Sequence, residues 1–424
     1  MDPNHDTDNI PSLEETHDPV EDTAASMFLS HASTADGHFT RAVELMRQQD
    51  WAAAEAALRQ GLEADPLKQH AHAARAMVNL GYCLDKLESH AEAYEAYTQA
   101  LELDANSEVA YTGLACVCMD LKRYREALDA AEHAALINPD NAGTQYRIGN
   151  ARLRLQDLPG AMQAYRQALT LQPDLFGAWL NLGTACEAAG DMAGAVAAFE
   201  GAVHVKPTYV KGWQNLGLLQ GRHGHHEAAI AAFQKAVALE PGNGRLYILL
   251  GLAQRCLSLD GMAIESFKAA VASGKHADKG WHNIGLVHAD AGRYEEALAA
   301  FQQSLAITPG YAKVHLSIGR MLFALARVDE AIESIRKSIE LRPDLIPAFI
   351  ALGEIHATRS EYVDAIGAYG RASELSPEDD SLHLRMGRVH LAAGQTDAAK
   401  AECKYLQDRG SSFAAELLAE IEAA

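Results

Sequence analysis

A single pattern of apolar residues, glycine and proline recurs at one fixed interval and constrains the fold of this chain more than any other feature. The pattern runs without insertion from residue 74 to residue 413, and the interval divides this stretch into ten units. In the unit formed by residues 210–243, positions 4, 8, 20, 24 and 32 are Trp213, Gly217, Ala229, Phe233 and Pro241. The preceding unit has, at the same positions, Trp179, Gly183, Ala195, Phe199 and Pro207. Such a period predicts stacked supersecondary units that each contact their neighbours, and not one central core.

Each unit reads as two helices, because its apolar positions are spaced by three and four residues. A glycine inside a helix costs about 1 kcal/mol relative to alanine, so its recurrence at position 8 predicts that a neighbouring helix packs too closely for a Cβ atom. We expect Gly190, Gly224, Gly292 and Gly394 to end the first helix of their units. Prolines at position 32 end the second helix. The sequence therefore predicts an all-α fold.

The pattern W-x2-L-G-x2-Y, then A-x3-F, then P resembles the tetratricopeptide repeat (TPR) family over about residues 35 to 413. The resemblance implies a TPR α-solenoid, which is a right-handed superhelix of antiparallel helix pairs. In that fold the first helices line a concave groove, and the second helices form the outer face. It also implies a repeat protein whose function is protein binding.

The repeat pattern divides the chain into five segments. Residues 1–34 are predicted to be an acidic, disordered tail, and residues 35–68 a first, divergent TPR unit. Residues 69–73 are an insertion, and residues 74–413 are the ten contiguous units. Residues 411–424 are predicted to form a capping helix that covers the last apolar face of the solenoid.

Charge and cysteine usage narrow the possible partners and compartment. The formal net charge is -21, and the stretch 1–40 holds nine acidic residues and no Lys or Arg. Such a chain repels phosphate backbones and anionic lipids, so we expect no nucleic-acid partner. No stretch of 18 apolar residues occurs, so we expect no membrane insertion. The six cysteines form no C-x-x-C pair, which favours reduced thiols and a cytoplasmic protein.

The TPR resemblance assigns the groove mainly to positions 2, 5, 6, 9, 12 and 13 of each unit, and these carry cations and amides here. The candidate peptide-binding residues are Asn150, Asn181, Lys211, Asn215, Arg245, Lys279, Asn283 and Lys313. Asparagine can both donate to and accept from the backbone of an extended peptide, and Lys and Arg favour carboxylates. The alternative is that these residues form solvated surface, since they are also soluble and compatible with a helix.

Part of this set resembles the dicarboxylate clamp by which some TPR domains hold the C-terminal carboxylate of heat-shock chaperones. Asn150, Asn181 and Lys211 lie in three successive units, and each follows the one before at slightly less than one repeat length. The first Lys of the clamp falls at Tyr146 and its final Arg at Asn215, so two of its five positions differ.

The residues give no sign of catalysis or of a cofactor. The chain lacks G-x-S-x-G, a Walker-type glycine loop and a G-x-G-x-x-G fingerprint, and only the short stretch 414–424 follows the last unit. His223, His225 and His226 share one turn but have no carboxylate or cysteine at ligand spacing, so we expect no metal site there. The recurrence of His288, His356 and His390 at position 11 predicts packing.

The sequence therefore predicts a non-enzymatic adaptor or scaffold that binds an extended peptide segment, acidic or C-terminal, in the concave groove. The alternative is a structural assembly protein that self-associates into homo-oligomers through the solenoid ends or the convex face. A third hypothesis places the acidic tail, residues 1–30, against the basic residues of the groove as an intramolecular contact.

Overall fold

The computed structural model of the protein describes residues 34–64 and 70–424, and these residues form 23 helices and no strand. In chain order the helices are α1 Thr34–Arg47, α2 Trp51–Ala64, α3 His70–Lys86, α4 His90–Leu103, α5 Glu108–Asp120, α6 Tyr124–Ile137, α7 Ala142–Arg154, α8 Leu158–Leu171, α9 Phe176–Ala188, α10 Met192–Val205, α11 Val210–Arg222, α12 His226–Leu239, α13 Gly244–Cys256, α14 Asp260–Ala272, α15 Ala277–Asp290, α16 Tyr294–Ile307, α17 Ala312–Ala324, α18 Val328–Leu341, α19 Ile346–Thr358, α20 Tyr362–Leu375, α21 Asp380–Ala392, α22 Thr396–Asp408 and α23 Phe413–Ala423.

The chain divides into two compact units, unit 1 (Met1–Leu219) and unit 2 (Gln220–Ala424). Within each, we call the first helix of a repeat its A helix and the second its B helix, so that α7, α9, α13 and α15 are A helices. Loops of three residues join A to B, for example between α7 and α8 and between α13 and α14. Such short loops make the two helices antiparallel neighbours. From α1 to α10 in unit 1, and from α12 to α23 in unit 2, each A helix packs on its own B helix and each B helix packs on the next A helix.

The turn from A to B always passes through a left-handed residue at position 15 of the repeat. The four glycines that the sequence placed there have φ values from 71° to 77°, which confirms that they end their helices. Seven other repeats use a non-glycine residue at the same point, with φ between 56° and 62°. They are Gln49, Glu88, Lys122, Gln156, Ser258, Ala326 and Ser360.

The glycine at position 8 lies under the large residue at position 24 of the same repeat, which confirms the predicted close approach. A Cβ atom on Gly149 would lie 2.5 Å from the ring of Tyr165, and one on Gly183 would lie 2.7 Å from the ring of Phe199. The repeat that has Ala115 at position 8 has Ala131 at position 24, and both side chains are buried. The two positions are therefore matched in size, as close packing of the two helices requires.

The two ends of the repeat array show local variations. Residues 70–73, which the sequence placed in an insertion, form the first turn of α3, which is 17 residues long. In the last repeat position 24 is the small Cys403, and Leu417 of α23 lies over Gly387 instead. None of the described helices is long and apolar enough to cross a membrane. The predicted acidic tail lies outside the described residues, apart from Thr34 at the start of α1.

Candidate peptide-binding face of the A helices

In unit 1 the two central asparagines of the candidate site are buried, and the lysine is exposed. Asn150 on α7 is 9% exposed and Asn181 on α9 is 6% exposed. Asn215 on α11 is half-buried, and Lys211, one turn earlier, is exposed. Only part of the predicted set in unit 1 is therefore directly open to a ligand.

A buried hydrogen-bond network holds the two asparagines. The Tyr165 hydroxyl donates to Asn150 Oδ1 at 2.9 Å, and Asn181 Nδ2 donates to the same oxygen at 2.9 Å. Asn181 Nδ2 also donates to the Tyr146 hydroxyl at 3.2 Å. These bonds join α7, α8 and α9, so the amides at these positions connect one repeat to the next.

The same network includes Tyr146, one of the two positions that differ from the chaperone-type clamp. Tyr146, which stands where the clamp has its first Lys, accepts a hydrogen bond from Asn181. Burial raises the pKa of Tyr165 well above its usual range, and the nearby Tyr146 raises it further. Tyr165 is therefore a neutral hydroxyl at neutral pH. Tyr146 places a hydroxyl, which cannot carry a positive charge, where the clamp has a lysine.

In unit 2 the cations at position 2 lie at the amino-terminal ends of three A helices. Arg245 is the second residue of α13, Lys279 the third of α15 and Lys313 the second of α17. Arg245 and Lys279 are exposed and Lys313 is half-buried. Within the described residues, neither Arg245 nor Lys279 forms an ion pair. The positive ends of the helix dipoles add to their charge, so this edge attracts anions.

Two histidines near these cations have a lowered pKa. Burial lowers the pKa of His276, and Lys279 and Lys275 lower it further, against the opposing effect of Asp278. Burial, followed by Lys313 and Arg255, lowers the pKa of His282 to about 4. His282 packs against the Phe301 and Tyr311 rings, with centroids at 5.7 and 5.3 Å. Its imidazole is thus neutral at neutral pH and adds no further charge to the edge.

Other polar residues of the predicted groove are engaged within the protein. Asn283 Nδ2 donates to the Lys279 carbonyl of its own helix at 2.8 Å. Arg385 pairs with Glu354 at 2.6 Å, and Arg388 pairs with Glu416 and Glu420, each at 2.6 Å. The exposed cations of the candidate set that form no ion pair within the described residues are therefore Lys211, Arg245 and Lys279, all at position 2.

A structural role that the sequence analysis missed belongs to position 4. Trp179 Nε1 donates to the Pro173 carbonyl at 2.8 Å, and Trp213 Nε1 donates to the Pro207 carbonyl at 2.9 Å. Because these carbonyls follow the end of a B helix, the tryptophan secures the link between repeats. The fixed spacing of six residues between Pro and Trp was a signal for this bond.

A cleft of about 1010 Å³ in unit 2 is lined mainly by α18, together with His315 of α17, His356 of α19, Asp364 of α20 and the loop between α19 and α20. Its charges are largely paired with each other, as in Arg359 with Asp329 at 2.5 Å and Lys337 with Glu340 at 2.9 Å. Burial raises the pKa of Cys83 to about 12 and that of Cys118 to about 11. These two thiols are therefore protonated at neutral pH and are poor nucleophiles.

Sequence models of the tetratricopeptide repeat match more than half of the chain. They cover residues 39–108, 112–176 and 146–209, then 210–243 and 276–344. No curated protein sequence matches the chain significantly.

Solved structures with a similar arrangement of helices include yeast Tom70, MamA and YrrB. Tom70 is 14% identical, with a TM-score of 0.48, and the match covers 92% of this chain and 95% of that one. MamA is 24% identical with a TM-score of 0.37, covering 41% and 94%. YrrB, described as a TPR protein with an unusual peptide-binding site, is 22% identical with a TM-score of 0.39, covering 46% and 96%. A shared ligand does not follow from such low identities.

Proposed function

Because the chain belongs to the tetratricopeptide repeat family, we propose that it is a non-enzymatic scaffold that binds an extended, acidic segment of a partner protein along its A helices. The proposal gives the leading role to the basic edge of unit 2, formed by Arg245, Lys279 and Lys313. We also propose that the protein acts in the cytoplasm, where its six free thiols stay reduced.

The observation that carries the proposal is the placement of these cations. They occupy the same position in three successive repeats, so a ligand that follows the A helices meets a positive charge in each repeat. The chain as a whole is strongly acidic, with a net charge of -21. A local positive edge in such a protein attracts carboxylates, whereas the acidic remainder of the protein repels them.

Apolar contacts adjoin the basic edge and favour a peptide ligand over a small anion. Ile248, Leu252 and Leu286 lie on α13 and α15 at repeat positions 5 and 9, and all three are half-buried. Partly exposed aliphatic side chains can bury the apolar residues of a peptide, while the cations pair with its acidic residues. An alternating acidic and apolar segment fits both features.

Unit 1 contributes differently under this proposal. Lys211 is its exposed cation, whereas Asn150 and Asn181 hold neighbouring A helices at a fixed spacing. We therefore propose Lys211 and Asn215 as the ligand contacts of unit 1, and the two buried asparagines as residues that position them.

Short fluorescent peptides that differ only in having Glu or Gln at their polar positions test the proposal by anisotropy. We expect the Glu peptide to bind more tightly and its affinity to fall with added salt. The variant with Arg245, Lys279 and Lys313 all changed to Ala should bind it about tenfold or more weakly, since each exposed pair contributes up to about 1 kcal/mol.

A matched control changes Lys235, Lys268 and Lys337 to Ala. These lysines are exposed on B helices of the same unit, so the control has the same loss of charge but keeps the basic edge. Equal binding of the Glu and Gln peptides, or equal weakening by both triple variants, would sink the proposal. Light scattering of the free protein over a range of concentrations tests the alternative of self-association.

A further inference from the structure

Three potential metal ligands meet in unit 1 at a point outside the proposed peptide contacts. Asp85 lies in the last turn of α3, His90 is the first residue of α4 and Asp120 is the last residue of α5. One ligand atom from each lies within 4.8 Å of the other two, and His90 Nδ1 is 3.2 Å from Asp85 Oδ1. The side chains of His90 and Asp85 are 31% and 23% exposed, so an ion can reach them from solvent.

The equivalent point of unit 2 carries a cationic side chain. Asp85 is at position 12 of its repeat, and Asp120 is at position 13 of the next. In unit 2 the same pair of positions holds Arg255 and Asp290, whose Nε and Oδ2 atoms form an ion pair at 2.7 Å. In unit 1 an aspartate takes the place of the arginine, so two carboxylates meet where unit 2 has one carboxylate and one guanidinium.

The positions of the two aspartates at helix ends also favour a bound cation. Both aspartates lie at the carboxyl-terminal end of an A helix, where the helix dipole disfavours an anion and stabilises a cation. Two carboxylates this close also repel each other. A cation bound between them relieves both effects.

The histidines at position 11 of the repeats form a different kind of contact. His288 accepts from Arg293 Nε at 2.9 Å, and His390 lies 2.7 Å from Gln395 Oε1. His356 has Glu361 and Asp364 nearby, but Arg359 Nε pairs with Glu361 at 2.9 Å. These histidines are therefore hydrogen-bonding residues of their own turns, whereas Asp85, His90 and Asp120 bring together ligand atoms from two successive repeats.

We propose that Asp85, His90 and Asp120 bind a divalent transition-metal ion of the zinc class. One imidazole nitrogen and two carboxylate oxygens suit such an ion, and three protein ligands leave a fourth position for water. The bound ion joins the repeat 74–107 to the repeat 108–141, as Arg255 and Asp290 join two repeats of unit 2. Its role is therefore to stabilise the stacking of α3 on α5.

Calorimetric titration of the full chain with zinc chloride, together with thermal melting, tests this site. We expect one specific site per chain, a rise in melting temperature with added zinc, and at least a tenfold loss of affinity in Asp120→Asn and His90→Gln. Cobalt(II) bound in place of zinc should give the visible absorption of a four-coordinate ion in the wild type, and this absorption should be absent in Asp120→Asn.

Two control variants separate this site from the other histidines. The double change His225→Gln and His226→Gln, and the single change His356→Gln, should leave the specific site intact. Asp85→Arg recreates the charge pair of unit 2, so it should abolish zinc binding and raise the melting temperature of the zinc-free protein. The proposal is overturned if the wild type binds no zinc, or if binding survives in Asp120→Asn and is lost in either histidine control.

Discussion

The polar residues that we compare on the A helices of the two units differ in their surroundings. In unit 1, Asn150 and Asn181 face inward and share hydrogen bonds with Tyr165 and Tyr146. In unit 2, Arg245 and Lys279 face solvent and contribute to the low pKa of His276. The framework beneath is similar in both, with a glycine at position 8 under a large residue at position 24. On this common framework, polar residues of the A helices connect neighbouring repeats in unit 1 and carry exposed positive charge in unit 2.

The largest expected effect is a loss of folding stability at low pH, and we expect it in unit 2. His282 has a pKa of about 4 in the folded protein, below the ordinary value of about 6.5. Between these values the unfolded chain takes up a proton that the folded protein does not. Stability should therefore fall as the pH falls from about 6.5 to about 4, by about 3 kcal/mol for this group.

Urea unfolding at a series of pH values, with hydrogen exchange of α15 as the local probe, measures this loss. His282→Phe keeps an aromatic ring beside Phe301 and Tyr311, so it should flatten the pH dependence of α15. Amides of α7 and α9 in unit 1 serve as the control. An unchanged slope in the variant would show that His282 does not carry the acid sensitivity.

The next effect tests the packing that both units share. Gly183→Leu places a side chain where the Phe199 ring lies, and overpacking of this kind costs about 1–3 kcal/mol. Gly285→Leu should cost a similar amount in unit 2, because Phe301 covers Gly285 in the same way. Thermal melting compares the two variants.

A rescue variant makes the packing test specific. The repeat with Ala115 and Ala131 shows that alanine at both positions is accommodated. The double change Gly183→Ala and Phe199→Ala should therefore lose less stability than the sum of the losses of its two single changes. If the two losses simply add, size matching is not what requires the glycine.

The periodic framework was accessible from the sequence, because packing within a repeat depends on residues at fixed spacing in one stretch of chain. The role of Gly183 followed from that spacing alone. The roles of the polar residues could not be predicted from this spacing, because they depend on partners in other helices. Asn181 became structural because Asn150 lies one repeat earlier with a tyrosine beside it, and Arg385 was neutralised by Glu354 at a similar separation.

The third effect compares two asparagines that the sequence treats alike. Asn150→Ala removes the acceptor of two hydrogen bonds and leaves buried donors on Tyr165 and Asn181, at a cost of about 1–3 kcal/mol. Asn283→Ala removes a donor to the Lys279 carbonyl of its own helix, so we expect a cost below about 1 kcal/mol. Lys279→Ala, on the exposed edge, should stay within about 0.5 kcal/mol.

Urea unfolding of these three single variants ranks them. Tyr165→Phe serves as the matched control for Asn150→Ala, since it removes one donor of the same network without leaving a cavity in the core. Equal losses for Asn150→Ala and Asn283→Ala would erase the difference between the two units on which the comparison depends.

The smallest effect uses the left-handed residues at position 15, which occur in both units. Lys122 in unit 1 and Ala326 in unit 2 have φ values of 60° and 58°, a conformation that glycine adopts more easily than other residues. Lys122→Gly and Ala326→Gly should each stabilise their repeat by up to about 1 kcal/mol. Since stability in a repeat array is approximately a sum over repeats and their interfaces, the two gains should add. Thermal melting of both single variants and of the double variant measures these gains. A double variant that is no more stable than either single variant would show that the two gains do not add.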